Sequence, residues 1–177
     1  MEQSIPSFQQ HQAAGAKYGP LGFAILTMSD SRTAETDTSG QFIRDAVTAA
    51  GQRIVRYAIV KDDPAQIKPE LTAALGDPDV AVIVTNGGTG VSLRDNAYET
   101  IVSLLDKRLD GFGELFRMLS YDEVGAAAML SRAVGGIARG KVVFSLPGST
   151  KAVKLGMEKL ILPQAAHLYF ELQKHAD

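Results

Sequence analysis

A chain of 177 residues with 45% hydrophobic and 21% charged residues is long enough for one domain with a substantial core. A formal net charge of −2 argues against a broad nucleic-acid-binding surface, and the absence of cysteine excludes disulfides, thiolate metal sites and a cysteine nucleophile. No apolar run is long enough to span a membrane, and the polar stretch 1–19 lacks the apolar core of a secretory signal, so the expectation is a cytoplasmic protein with a flexible tail, 1–19, ahead of a single domain, 20–177.

The run 22–28, GFAILTM, reads as a buried strand that enters a polar loop, 29–37. Asp37 or Thr38 then caps a helix with Phe42, Ile43, Ala46, Val47 and Ala50 on one face, and Gly51 ends it. A second strand spans 54–60. Asp63-Pro64 opens a helix striped by Ile67, Leu71, Ala74 and Leu75, and Asp77-Pro78-Asp79 is a turn. The strand 80–84 leads through a glycine-rich loop into a helix, 96–105, with Ala97, Ile101, Leu104 and Leu105 on one face. Residues 111–119 read as helix, and 125–132 is a small-residue segment of undetermined form. The strand 142–146 ends in Pro147-Gly148-Ser149-Thr150, and the last helix carries Val153, Met157, Leu160 and Ile161 until Pro163 kinks or restarts it.

Alternating strands and helices, with strands rich in Val and Ile, predict an α/β fold: a three-layer α/β/α sandwich around a mostly parallel sheet. In such sheets ligands sit beyond the carboxyl ends of the strands. Four loops should therefore converge at one edge: Ser29 to Arg32, Lys61 to Asp63, Asn86 to Asp95, and Pro147 to Thr150.

The glycine loop reads Thr85-Asn86-Gly87-Gly88-Thr89-Gly90, followed by Ser92-Leu93-Arg94-Asp95. Its glycines let backbone N–H groups approach an anion, and a helix start follows. No Gly-Lys-Ser/Thr closes it, and G-x-G-x-x-G does not fit, so it is neither a Walker A loop nor a dinucleotide fingerprint. Arg94 is a candidate phosphate partner.

Capping separates the carboxylates. Asp63 caps the helix that Pro64 opens, leaving Asp62 spare; Asn96 with Glu99 resembles a capping box, leaving Asp95 spare. Two spare carboxylates on adjacent loops suit Mg2+, which takes a few protein oxygens plus substrate phosphates. The alternative is that each pairs with Arg94, Lys61 or backbone N–H groups. The hydroxyls of Ser149 and Thr150 either meet an anion or cap the helix, and Arg132 either holds phosphate or sits in a surface ion pair. His11, His167 and His175 lack metal-ligand spacing, and Met118, Met129 and Met157 are core or subunit contacts.

Six segments in order (25–30, ILTMSD; 37–40, DTSG; 87–90, GGTG, with Arg94-Asp95; 111–120, GFGELFRMLS; 129–132, MLSR; 147–152, PGSTKA) resemble the MoaB/Mog family of molybdenum-cofactor biosynthesis proteins, and its MoaB branch above all. The resemblance covers roughly 21–168. It implies a molybdopterin-binding α/β domain that assembles as a trimer or hexamer. It implies adenylyl transfer from Mg-ATP to the terminal phosphate of molybdopterin, with release of pyrophosphate. Asp62 and Asp95 match the family's catalytic, Mg2+-binding carboxylates. Gly87, Gly88, Thr89 and Gly90, with Ser29 and Asp30, are expected at the nucleotide. Ser131, Arg132, Pro147, Gly148 and Ser149 are expected at the pterin. The last loop departs from the Mog branch, which more often has Gly-Asn-Pro there, so Lys151 is expected to share its phosphate contacts. A non-catalytic molybdopterin carrier is the alternative. A nicotinamide oxidoreductase is disfavoured by the missing fingerprint.

Overall fold

The computed structural model describes residues 19–92 and 95–174. The tail 1–18, Leu93, Arg94 and the last three residues lie outside them, and with them the expectations for the tail, Arg94, His11 and His175.

The first strand, β1 (Gly22–Met28), is buried throughout. Helix α1 (Thr38–Ala49) follows, capped by Asp37, whose side chain accepts the Gly40 N–H. Gly51, at φ 71°, supplies the left-handed residue beyond its end. Strand β2 (Arg53–Val60) leads to α2 (Pro64–Gly76), where Asp63 caps as expected and Ile67, Leu71, Ala74 and Leu75 are the buried face. Next come β3 (Val82–Asn86) and the short α3 (Ala97–Val102). A two-residue strand β4 (Lys107–Arg108) precedes α4 (Asp110–Val124) and a 3-10 segment, Gly125–Leu130. Strands β5 (Val134–Ala138) and β6 (Lys141–Leu146) complete the sheet. Helix α5 (Thr150–Gly156) passes through a π turn, Met157–Ile161, into α6 (Leu162–Gln173).

The six strands lie in the order β2-β1-β3-β6-β5-β4. The pairs β1 with β2, β1 with β3 and β3 with β6 are parallel, whereas β5 and β4 add antiparallel. Alternation along β1 divides the core. Phe23 and Ile25 join Ile43, Val47, Phe144, Val153 and Met157 on one side; Ala24, Leu26 and Met28 join Ile67, Leu71, Ile83, Ile101 and Val143 on the other. Helices therefore cover both faces of a mostly parallel sheet, the three-layer α/β arrangement expected.

Several local readings change, and the helix expected at 111–119 runs on to Val124. Strand β3 starts at Val82, because the preceding turn extends to Val80, whose N–H bonds the Asp77 carbonyl. Thr85 and Asn86 thus belong to the sheet and not to the loop. Helix α3 stops at Val102, where the Leu104 N–H tightens onto the Ile101 carbonyl. The strand β5 was masked by Gly135-Gly136. Glycine is needed there because a Cβ at Gly136 would collide with the Lys107 carbonyl, and one at Gly135 would crowd Phe112 and Phe144. Arg139 (φ 49°) and Gly140 (φ 73°) then make the two-residue turn into β6, and its twist matches that of the strands. The undetermined segment is 3-10 helix. Pro163 restarts the last helix, with the Leu162 N–H reaching back to the Met157 carbonyl in the wider π pattern.

Candidate active site

The four predicted loops do converge. At the carboxyl end of β3 the Gly87 N–H bonds the Leu146 carbonyl at 3.0 Å. Gly87 (φ 100°) passes so close to β1 that a Cβ would strike the Met28 carbonyl oxygen. Gly88 (φ 62°) lies against the Asp62 carboxylate, and a Cβ at Gly90 would run into the Asp95 carboxylate. Glycine is thus required on both counts, backbone conformation and close approach. Asp62 and Asp95 flank one four-residue turn.

The capping argument that singled out these carboxylates needs correction. Asn96 makes no side-chain cap on α3. Asp62 supplies that function from the neighbouring loop: its Oδ1 accepts the Asn96 N–H at 3.1 Å, and the Ala97 N–H also reaches it. The Asn96 side chain instead donates to the Asp62 carbonyl at 3.5 Å. Glu99, the other half of the expected capping box, pairs with Arg132. Asp95 is not spare either, because its Oδ2 accepts the Ser92 N–H at 2.8 Å. Sequence spacing hid this because the cap arrives from a residue 34 positions away.

Among the described residues, like charge nevertheless gathers around Asp62. Burial pushes its pKa up, and the charges of Asp95 and Asp30 add to that, while the Asn96 and Ala97 N–H groups pull it down. Asp30 also accepts the Asp62 N–H, at 3.4 Å. Ser29 has a local role, its Oγ accepting the N–H groups of Ser31 and Arg32. Hard oxygen donors with like charge gathered beside them fit Mg2+. Among the described residues no three His, Cys, Asp or Glu side chains gather into a metal cage, so other oxygens would have to complete a cation's shell.

A second carboxylate cluster on the same edge was not anticipated. Asp37 is buried and receives four donors: Thr27 Oγ1 at 2.5 Å, Tyr57 Oη at 2.8 Å, the Gly40 N–H at 3.0 Å and Arg32 Nη1 at 3.3 Å. Thr27 in turn accepts from Asn86 Nδ2 at 2.8 Å. Arg32 Nη2 donates to the Gly148 carbonyl at 2.7 Å, and Ser39 Oγ donates to the same oxygen at 2.8 Å. Burial, then the bond to Asp37, raises the Tyr57 pKa to about 12. The network ties the ends of β1 and β3 to the last phosphate-loop candidate. Its signal in the sequence was Thr27 and Asn86, polar residues set in apolar strands, followed by Asp-Thr-Ser-Gly.

Arg132 has several partners. Nε donates to the Thr89 carbonyl and Nη2 to that of Asp95, both at 3.3 Å, Nη1 pairs with Glu99, and the guanidinium stacks on Tyr98 at 4.6 Å. It lines a cavity of about 380 Å³ together with Ser131, Tyr98, Arg117 and Met129. A second cavity, of about 400 Å³, holds Ser131 again with Pro147, Ser149, Lys151 and Phe116. Ser131 therefore borders both. Ser149 caps α5, its side chain accepting the Ala152 N–H. Gly148 approaches the Gly87 Cα. Met157 is buried, whereas Met118 and Met129 are exposed, as are Leu115, Val124 and Leu130. No helix among the described residues is long and apolar enough to cross a membrane.

The chain is similar in sequence and fold to known proteins. The family described as a probable molybdopterin binding domain matches residues 24–167. A Bacillus cereus protein named molybdenum cofactor biosynthesis protein B is 52% identical over 151 residues, covering 85% of this chain and 89% of its own length. A crystal structure of a molybdenum cofactor biosynthesis protein B superposes with a TM-score of 0.85 at 51% identity, over 88% of this chain and 97% of that one. The tungsten cofactor synthesizing protein MoaB from Pyrococcus furiosus superposes at 0.77 with 40% identity, over 89% and 98%. Matches of this extent and identity leave one conclusion: the chain belongs to the MoaB/Mog family of molybdenum-cofactor biosynthesis proteins, in its MoaB branch.

Proposed function

We propose that the protein binds molybdopterin and transfers the adenylyl group of Mg-ATP to its terminal phosphate. The observation that carries this reading is the pair Asp62 and Asp95, set against Gly88 and Gly90 in a turn that strand ends deliver to one sheet edge. An oxygen of the pterin phosphate attacks the α-phosphorus of ATP, a new P–O bond forms, and the bond to the bridging oxygen breaks with its electron pair leaving on pyrophosphate. The attacking phosphate is already anionic, so no strong base is required; positioning and charge stabilisation do the work. Asp62 and Asp95 would hold Mg2+, which supplies positive charge against the phosphates when bound. Backbone N–H groups from Gly87 to Gly90 cradle the nucleotide phosphates, with Ser29 and Asp30 beside them. Ser131, Pro147, Gly148 and Ser149 bound the pterin end, with Arg132 in its wall and Lys151 close by.

The exposed apolar residues Leu115, Met118, Val124, Met129 and Leu130 support a homo-oligomer, trimer or hexamer, with α4 in the interface. A cytoplasmic setting accords with the use of ATP.

One observation favours a second reading, a molybdopterin carrier without chemistry: both carboxylates have structural bonds, Asp62 as a cap and Asp95 within its turn. Single-turnover conversion of molybdopterin with Mg-ATP separates the two. Adenylylated product from the native protein and little from Asp95→Asn supports the transferase. No product, with tight pterin binding by both, supports the carrier.

A further inference from the structure

Arg132 bridges the glycine turn and the start of α3. Its bonds fall on Thr89, inside the turn, and on Asp95, ahead of α3. Its ion pair and its stacking fall on Glu99 and Tyr98, in the first turn of α3. Asp95 and Ser92 also bond each other, and Asp62 reaches the start of α3 from the β2 loop. One side chain thus bridges the nucleotide-side turn and a proposed metal carboxylate.

The same side chain borders the 380 Å³ cavity, with Ser131 as its chain neighbour. A guanidinium has five N–H donors in a fixed planar fork. Nε, one hydrogen of Nη1 and one of Nη2 go to Thr89, Glu99 and Asp95, so two donors have no partner among the described residues. The side chain is 25% exposed, open enough for a ligand to meet those two. Because the fork is rigid, a ligand that fixes one side of it also fixes the other.

We propose that Arg132 is a positioning residue that couples the two substrate sites. Molybdopterin in the cavity engages the two remaining donors, locks the fork, and thereby fixes Thr89 and Asp95 at the separation that accepts Mg-nucleotide. This rests on the functional reading above. Coupling of this kind is reciprocal: nucleotide tightens molybdopterin by the same factor that molybdopterin tightens nucleotide.

The test is calorimetry on the full chain with a Mg-nucleotide that cannot be cleaved between its α and β phosphates, with and without saturating molybdopterin. Amide exchange of residues 87–96 is followed with molybdopterin alone. In the native protein nucleotide affinity should rise roughly tenfold with molybdopterin present, and molybdopterin alone should slow exchange in the segment. In Arg132→Ala the ratio should fall to near one and exchange should no longer respond to molybdopterin. Arg132→Lys keeps the charge but loses the fork. It should behave like Arg132→Ala, and it carries the test if the alanine variant does not fold. A ratio kept by either variant, or native protein that binds both ligands without coupling, overturns the inference and leaves the transferase reading standing. Native protein that binds no Mg-nucleotide overturns both.

Discussion

Asp37 and Asp62 are carboxylates of one sheet edge with opposite fates. Asp37 is buried with four donors around it, and every lone pair has a use. Asp62 is half-buried, has backbone N–H groups on one side, and faces Asp30 and Asp95 on the other. The first is saturated and its job is to hold β1, β3 and the Gly148 loop together. The second has two further carboxylates near it among the described residues, which is the condition that favours a cation or a proton. The contrast is between a carboxylate whose lone pairs the fold uses up and one beside which it gathers like charge.

The sharpest way to break the comparison is to empty each position. Asp37→Ala leaves Arg32, Thr27 and Tyr57 without their acceptor inside the fold. Loss of a partner from a buried charged network costs about 3–5 kcal/mol, so urea unfolding should show a large drop in midpoint at unchanged slope. Were the midpoint to move by less than a tenth of that, Asp37 would not be the scaffold described. Asp95→Asn keeps size and polarity. On the transferase reading it should lower single-turnover rate at least a hundredfold, about 2.7 kcal/mol of barrier, with melting temperature close to native. Tyr57→Phe removes one of the four donors and should cost about 1 kcal/mol. A pH effect is the smallest. Because the folded pKa of Asp62 is raised, charging it opposes folding, and its contribution to stability declines as pH rises from the ordinary carboxylate value near 3.8 through the raised one. Asp62→Asn should flatten that decline, so the difference in melting temperature between variant and native protein should drift toward the variant across that window. Mg-nucleotide, bound only by the native protein, should reverse the sign above it. A difference that stays constant with pH would show that folding does not raise the Asp62 pKa.

Much of the architecture was legible because its signals are local. The apolar run of β1, the Asp63-Pro64 start of α2 and the stripe from Ile67 to Leu75 each depend on neighbours within a few residues. The convergence of four loops followed from reading the strands as a parallel sheet. What escaped was non-local or compositional. Asp62 caps a helix that begins 35 residues later, and no spacing rule inspects that distance. Strand β5 was hidden because close packing against Lys107 and Phe112 demands glycine, the residue that most weakens a strand signal. The two-residue β4 offers no period to read. Arg132 was weighed as a phosphate ligand or a surface ion pair, but its bonds to Thr89 and Asp95 could be seen only after the fold had brought residues some forty positions apart together.

The strand order has a consequence for how copies of this protein can meet. At one margin β4 pairs over only two residues, Lys107 and Arg108, both exposed and charged. At the other, β2 carries Arg53 and Arg56, which pair with Asp79, Glu70 and Asp77. Short length and fixed charge discourage another chain from adding a strand. Growth of the sheet from molecule to molecule is thereby blocked at both ends, and the helical layers are left as the surfaces through which an assembly can be built and still close on itself.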